Sequence, residues 1–299
     1  MPSTPSKTAA LWCPAYPLAD DAALIRARNG AAELSRQCGW TMAESPLLGR
    51  HLGPGAWLPA DERRAELAAL LTHDVLIAAR GGYGCLDLLE SLPVHLDQPP
   101  LLIGYSDLTV LHAAWWVRGW GETLYGFMPG VAAGERSLST TATVAKGQAI
   151  EYGPSSVDAV TVVQPGSAEG PLFAGCLRVL AGLVGTPWMP VLAGAILAVE
   201  DIDERPYRVE RDLRQLELAG CLVGVRGLVT NDFPAGSPAG YSGPSALDVV
   251  RSVTERLKIP ALVGLPFGHH GDPLTLACGR TTTVECGMEG HWRLRQRDR

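Results

Sequence analysis

The sequence predicts an α/β protein in two parts, a parallel α/β domain towards the N-terminus and a mixed α/β domain towards the C-terminus. Three observations predict it. An apolar run, a tight polar turn and a helical pattern follow one another twice between Val75 and Val117. Short apolar runs alternate again with helical patterns between Cys176 and Cys278. Finally, 34 glycines and 23 prolines cut the chain into many short elements, unlike a helical bundle or a repeat array.

The elements follow in order. Asp61 to Thr72 reads as an amphipathic helix, with Asp61 as N-cap and Leu67, Leu70 and Leu71 on one side. Val75 to Ala79 is a buried strand, ending in Arg80-Gly81-Gly82-Tyr83-Gly84, a turn whose backbone can approach a ligand closely. A helix over Cys85 to Ser91 stops before Pro93. Leu101 to Tyr105 is the next strand, and Ser106-Asp107 opens a helix over Leu108 to Val117. From Ala132 to Gly170 large apolar residues are scarce and Ser, Thr, Gly and Ala abundant, which predicts a linker region with one short helix and one strand. The expected division is therefore 1–135, a linker over 136–170, and 171–299. Helices are then predicted at Cys176 to Val184, Val209 to Ala219 (closed by Gly220) and Ser245 to Leu257. Strands are predicted at Ala195 to Val199, Val225 to Thr230, Ala261 to Leu265 and Leu274 to Cys278.

Composition narrows the function. The 299 residues are 46% hydrophobic and 19% charged, the balance of a globular chain long enough to bury a real core. A net charge of -6 offers no electrostatic footprint for nucleic acid. Apolar stretches such as Leu192 to Val199 fall far short of the roughly 20 residues that cross a bilayer. Met1 to Ala10 carry only Lys7 as a positive charge, and Pro14 and Pro17 break the apolar run that follows, which makes a poor secretory signal. Cys13, Cys38, Cys85, Cys176, Cys221, Cys278 and Cys286 form an odd set without a C-x-x-C pair, so reduced thiols and a cytoplasmic location are expected.

Three polar residues share one placement: Ser106, Glu200 and His269 each follow a predicted strand. In open α/β sheets, ligands bind beyond the carboxyl ends of the strands. A serine hydroxyl needs an imidazole to take its proton, and the imidazole needs a carboxylate to orient it and stabilise its charged form. Each residue also has a plainer explanation. Ser106 could cap the following helix, and it does not stand in a G-x-S-x-G elbow, because position 108 is Leu. Glu200 opens the acidic run Glu200-Asp201-Ile202-Asp203-Glu204, which local arginines such as Arg205 and Arg208 could neutralise. That run lacks the definite spacing of a calcium or magnesium site, and no H-E-x-x-H pair occurs, so no metal or cofactor is expected. His112, beside Trp115 and Trp116, reads as a satisfied core histidine, and His51, His73, His95 and His291 belong to no constellation. Oxyanion donors are available in the amide of Asp107, at a helix start, and in the Arg80 to Gly84 turn, at Gly82. That turn lacks the lysine and the spacing of a phosphate loop.

The motifs Ala79-Arg80-Gly81-Gly82-Tyr83-Gly84, Ile103-Gly104-Tyr105-Ser106-Asp107-Leu108-Thr109, Leu197-Ala198-Val199-Glu200-Asp201 and Gly264-Leu265-Pro266-Phe267-Gly268-His269 occur in this order. Together they resemble the serine LD-carboxypeptidases, or muramoyltetrapeptide carboxypeptidases, over nearly the whole chain. Cys13-Pro14-Ala15, Tyr125-Gly126 and Tyr207-Arg208-Val209-Glu210-Arg211 are further echoes. The resemblance implies a Ser106, Glu200, His269 triad with an oxyanion hole from the Gly82 and Asp107 amides. It implies an N-terminal layer like that of glutamine amidotransferases and an active site where the two domains meet. It also implies a metal-free homodimer that removes the terminal D-alanine from murein tetrapeptides during cytoplasmic recycling. The chain departs from the family at Leu276-Ala277-Cys278-Gly279, where Leu-Pro-x-Gly is usual, and in its tandem His269-His270, of which the register favours His269. Arg80, Tyr83 and Arg205 are candidates for holding the substrate, since a buried carboxylate needs charge-assisted hydrogen bonds. Related microcin-immunity peptidases use the same triad on a nucleotide-like substrate, but tend to be longer, with an extra recognition loop. A non-catalytic α/β binding protein is the alternative from another class.

Overall fold

Two sheets face each other through the carboxyl ends of their parallel strands. The computed structural model describes residues 6–50, 53, 56–131 and 134–299; His51 and the first five residues of the Met1 to Ala10 stretch lie outside them. The first half runs β1 (Thr8–Trp12), α1 (Asp21–Cys38), β2 (Thr41–Glu44), α2 (Ala60–Leu70), β3 (Val75–Ala78), β4 (Leu101–Gly104), α3 (Thr109–Arg118) and β5 (Thr123–Tyr125). The second runs α4 (Glu135–Ala145), β6 (Ile150–Tyr152), β7 (Thr161–Gln164), β8 (Gly166–Cys176), α5 (Leu177–Gly182), β9 (Ile196–Glu200), α6 (Pro206–Leu218), β10 (Gly227–Thr230), α7 (Ala246–Leu257), β11 (Ala261–Val263), β12 (Leu276–Cys278), β13 (Thr281–Cys286) and β14 (Trp292–Gln296).

The first sheet has the order β12-β5-β4-β3-β1-β2, parallel from β2 to β5. Its last strand, β12, comes from far along the chain and pairs antiparallel with β5. The second sheet has the order β6-β14-β13-β8-β9-β10-β11-β7, with β8 to β11 parallel and antiparallel strands at both flanks. Strands β3, β9 and β11 are buried along their whole length, as parallel strands covered on both faces must be. One apolar cluster joins the halves, with Leu108, Leu111 and Trp115 packed in the same core as Leu172, Ile196, Phe267 and Leu276.

Several predicted elements change form. Cys85–Ser91 is a 3₁₀ helix, not an α-helix. The carbonyl of Asp87 accepts a bond from the Arg64 guanidinium, which ties this turn to α2. The helix expected from Asp61 starts at Ala60, so Asp61 is not its cap but lies in the first turn, where its charge meets the helix dipole. The helix expected from Val209 starts three residues earlier because Pro206 supplies a preset φ at its first turn. Residues 136–170 carry α4, β6, β7 and the start of β8, and these strands pair in the second sheet. The departure at Leu276-Ala277-Cys278-Gly279 leaves a regular strand, β12, followed by Gly279.

Candidate active site

Ser106 leaves β4 in a left-handed conformation, φ +68°, which for a non-glycine residue costs about 1–3 kcal/mol and must be held by its surroundings. Both of its backbone groups are held. Its N–H donates to the Tyr125 hydroxyl at 3.1 Å, and its carbonyl accepts from Thr109 Oγ1 at 2.6 Å. Thr109 Oγ1 in turn accepts the Cys176 N–H at 2.8 Å, tying the start of α3 to the end of β8 in the other sheet. Ser106 is half-buried, and its side chain lies against the Gly81 backbone at the end of β3.

Glu200, the last residue of β9, is fully buried. Its carboxylate accepts the Tyr125 hydroxyl at 2.6 Å on Oε1. On Oε2 it accepts the His269 Nδ1 proton at 2.9 Å and the His269 backbone N–H at 3.1 Å. Gly268, at φ +66°, makes this approach possible, because a Cβ there would fall onto the Glu200 carboxylate. The His269 ring packs edge-on against Tyr105, with ring centres 5.3 Å apart. Burial of the ring works against its charge, but the Glu200 hydrogen bond and the charges of Glu200, Asp201 and Asp203 outweigh it, so the imidazole is more basic than usual. Of the tandem pair, His269 is the one bonded to Glu200, whereas His270 is exposed and accepts the Asp272 N–H at 3.2 Å. The plainer explanation for Glu200 fails on burial: Arg208 pairs with Glu204, and Arg205 bonds the Ala235 carbonyl.

Glu200 and His269 are thus brought together, and Tyr125 links them to the Ser106 backbone. Among the described residues, no hydrogen bond joins Ser106 Oγ to His269. Such bonds are often long in unliganded sites and tighten when substrate binds.

Gly82 follows β3 at φ +126°, so close to Tyr16 that an added Cβ would lie 2.7 Å from its ring. Asp107 lies in the 3₁₀ turn Ser106–Leu108, where the first amides have no intrahelical acceptor. Its carboxylate, made less acidic chiefly by burial, accepts the Cys85 N–H at 2.8 Å, which ties the Ser106–Leu108 turn to the loop after β3. Arg80 donates to the Pro17 carbonyl at 3.0 Å and to the Gly81 carbonyl at 3.3 Å, and its guanidinium lies over the Tyr16 ring. Tyr83 is exposed, its ring 6.2 Å from that of Trp57. A cavity of about 300 Å³ opens beside His269, lined by Arg136, Asp158, Asn231, Asp232 and His270. A larger recess, about 780 Å³, lies at the opposite, amino-terminal ends of β1, β3, β4 and β5, by Lys7, Asp74, Leu101 and Glu122, away from these groups.

His112 is a core histidine, as expected, bonded to Thr123 Oγ1 at 2.6 Å and the Gly104 carbonyl at 2.9 Å, with burial pushing its pKa down to about 4. All seven cysteines are free thiols, five of them buried. Two participants have no assigned role in the sequence motifs. Tyr125 stands in one of the echoes, and a tyrosine within a buried strand signals a hydroxyl that needs a partner. Asn231 follows β10 and binds the backbone of Asp201 through both ends of its amide, fixing the chain just after Glu200.

Known proteins resemble this chain in sequence and in fold. Residues 10–126 match the LD-carboxypeptidase N-terminal domain, and residues 169–284 match the LD-carboxypeptidase C-terminal domain. A protein of Streptomyces coelicolor named as a carboxypeptidase is 33% identical over 73% of this chain and 72% of its own length. The crystal structure of muramoyltetrapeptide carboxypeptidase from Oxalobacter formigenes superposes with a TM-score of 0.79, at 30% identity, over 97% of this chain and 99% of that one. The microcin C7 self-immunity protein, known from Escherichia coli, shares the fold with a TM-score of 0.82 at 21% identity, over 100% of this chain and 98% of that one. With both domain matches in chain order, the first containing Ser106 and the second Glu200 and His269, the chain belongs to the LD-carboxypeptidase family.

Proposed function

We propose that this chain is a serine-type LD-carboxypeptidase that releases the terminal D-alanine from murein tetrapeptides. The observation that carries the proposal is the buried Glu200–His269 pair, reached by the nucleophile turn through Tyr125. Neutral His269 takes the proton of Ser106 Oγ as that oxygen attacks the scissile carbonyl. The oxyanion is received by the amides of Gly82 and Asp107. Collapse expels the D-alanine amine, which takes the proton back from His269, and leaves an acyl group on Ser106. Water, activated by the same imidazole, then releases the tripeptide.

Arg80, with two of its five N–H donors committed to carbonyls, is our choice for the terminal carboxylate, and Tyr83 and Arg205 for further substrate contacts. The proposal also takes the enzyme as a cytoplasmic homodimer that recycles cell-wall fragments, as the family resemblance implies. A second reading, an immunity peptidase acting on an aminoacyl- or peptidyl-nucleotide amide, is favoured by the fold shared with the microcin C7 self-immunity protein, one structure of which holds aspartyl sulfamoyl adenosine.

One assay separates these readings. The purified protein is incubated with murein tetrapeptide, murein pentapeptide and aspartyl sulfamoyl adenosine, and the products are weighed by mass spectrometry. Loss of alanine from the tetrapeptide alone is expected. Cleavage of the nucleoside compound alone would replace the first reading with the second, and no turnover of any of the three would favour a binding protein.

A further inference from the structure

We propose that Tyr125 is a positioning residue that couples the carboxylate of the catalytic machinery to the backbone of the nucleophile. This rests on the proposed function in so far as Ser106 is the nucleophile and His269 the base.

Tyr125 is the last residue of β5, and its side chain is fully buried. A phenol has one proton to give and two lone pairs to accept with. Both uses are fixed by its partners. Glu200 Oε1 can only accept, so the single proton points to it at 2.6 Å. The Ser106 N–H can only donate, so the phenol oxygen receives it at 3.1 Å. The chain of bonds therefore has one direction, Ser106 N–H to Tyr125 Oη–H to Glu200, and successive bonds of that kind polarise one another.

Two consequences follow. The first concerns geometry. Ser106 holds a left-handed φ of +68°, and the bond to Tyr125 is the one made by its own N–H. That amide is thereby occupied, which leaves the oxyanion to the amides of Gly82 and Asp107. The second concerns charge. Glu200 is fully buried, and its hydrogen bonds come from the His269 ring, the His269 backbone and Tyr125. Without the phenol the carboxylate keeps, among the described residues, only the His269 donors and becomes a stronger acceptor for the imidazole proton. The other charges acting on His269, those of Asp201 and Asp203, are untouched by such a change.

The packing makes a clean test possible. The Tyr125 ring is held by His112, Phe267 and Tyr105, with ring centres 5.4, 6.2 and 6.2 Å away, so Tyr125→Phe removes one oxygen and leaves the contacts. The expected result is a fall in kcat of about 10- to 100-fold with KM within about threefold, as for loss of one positioned polar group. The His269 imidazole, followed by NMR without substrate, should titrate at higher pH than in the wild type. The acid limb of the rate profile should move the same way.

Substituting 3-fluorotyrosine at position 125, whose more acidic phenol donates more strongly to Glu200, should move both to lower pH. This keeps the test decisive if the Phe variant does not fold. An imidazole titration that stays in place in both variants would overturn the proposal, even if kcat and Tm fell, because a purely structural role moves only those. The NMR titration needs no turnover. A wild type without D-alanine release would therefore defeat the functional reading while the coupling was still measured.

Discussion

His269, the proposed base, is where pH reaches the proposed reaction. Its imidazole is made more basic by Glu200, Asp201 and Asp203 in spite of burial. A general base must be neutral to work, so activity should rise only as pH climbs through this raised value. The acid limb of kcat/KM is therefore predicted above pH 6.5, the ordinary histidine range. Glu200→Gln removes the nearest negative charge and replaces one of the two accepting oxygens with an NH2 donor. The limb should then shift to lower pH, while kcat falls by about 100- to 10,000-fold as the imidazole loses its orientation and its counter-charge. A pH–rate series on the two proteins checks this; a limb that stays in place would mean that Glu200 does not set the basicity of the imidazole. The place of Glu200 at a strand end is legible in the sequence, but its burial is not. An acidic run such as Glu200 to Glu204 looks solvated in sequence, and only the fold shows that Glu200 and Asp201 lie inside while Ile202 and Asp203 face outward.

At the scale of elements, the loop after β3, proposed to receive the oxyanion through Gly82, is held by a residue of α2. The Arg63 guanidinium is fully buried and donates to the carbonyls of Leu58, Pro14 and Gly84 at 3.0, 2.9 and 2.7 Å, and to Asp87 at 2.7 Å. It thus clamps the loop after β1 to the turn after β3, two residues from Gly82. Arg63→Met leaves buried carbonyls without donors and should cost about 2–5 kcal/mol in chemical denaturation. Arg63→Lys should recover little of this, because an ammonium cannot fork to several planar acceptors. A loss below about 0.5 kcal/mol in Arg63→Met would show that the loop holds its shape without the clamp.

Elements differ in how far the sequence reveals them. Strands β3, β4, β9 and β11 are legible because parallel strands buried on both faces read as unbroken apolar runs. β2 is not, since an edge strand with exposed ends, Thr41–Glu44, carries no such run. α1 is likewise missed, because its buried face is mostly alanine, Ala23, Ala27 and Ala31 beside Leu24 and Leu34, and so carries a weak apolar signal, although Asp20 caps it at one end and Gly39 at the other. The clamp at Arg63 has no local signature, for its acceptors lie as far as 49 residues away.

At the scale of the molecule, the candidate site exists because two sheets present the carboxyl ends of their parallel strands to one another. β4 and β5 bring Ser106 and Tyr125, while β9 and the turn after β11 bring Glu200 and His269. β12 crosses from the second half to close the first sheet, with Leu276 opposite Tyr125, so the convergence is built into the strand pairing. Chain order and strand-end placement reveal which residues could meet. The Tyr125–Glu200 bond spans 75 residues and depends on that pairing, which periodicity does not encode. The central claim is that the hydroxyl of Ser106 is the group these two halves assemble to activate. The most direct measurement is kcat/KM for D-alanine release from murein tetrapeptide by the wild type and by Ser106→Ala, with Tm recorded for both. A loss of at least about 1,000-fold with an unchanged Tm is predicted; activity within tenfold of the wild type would contradict it.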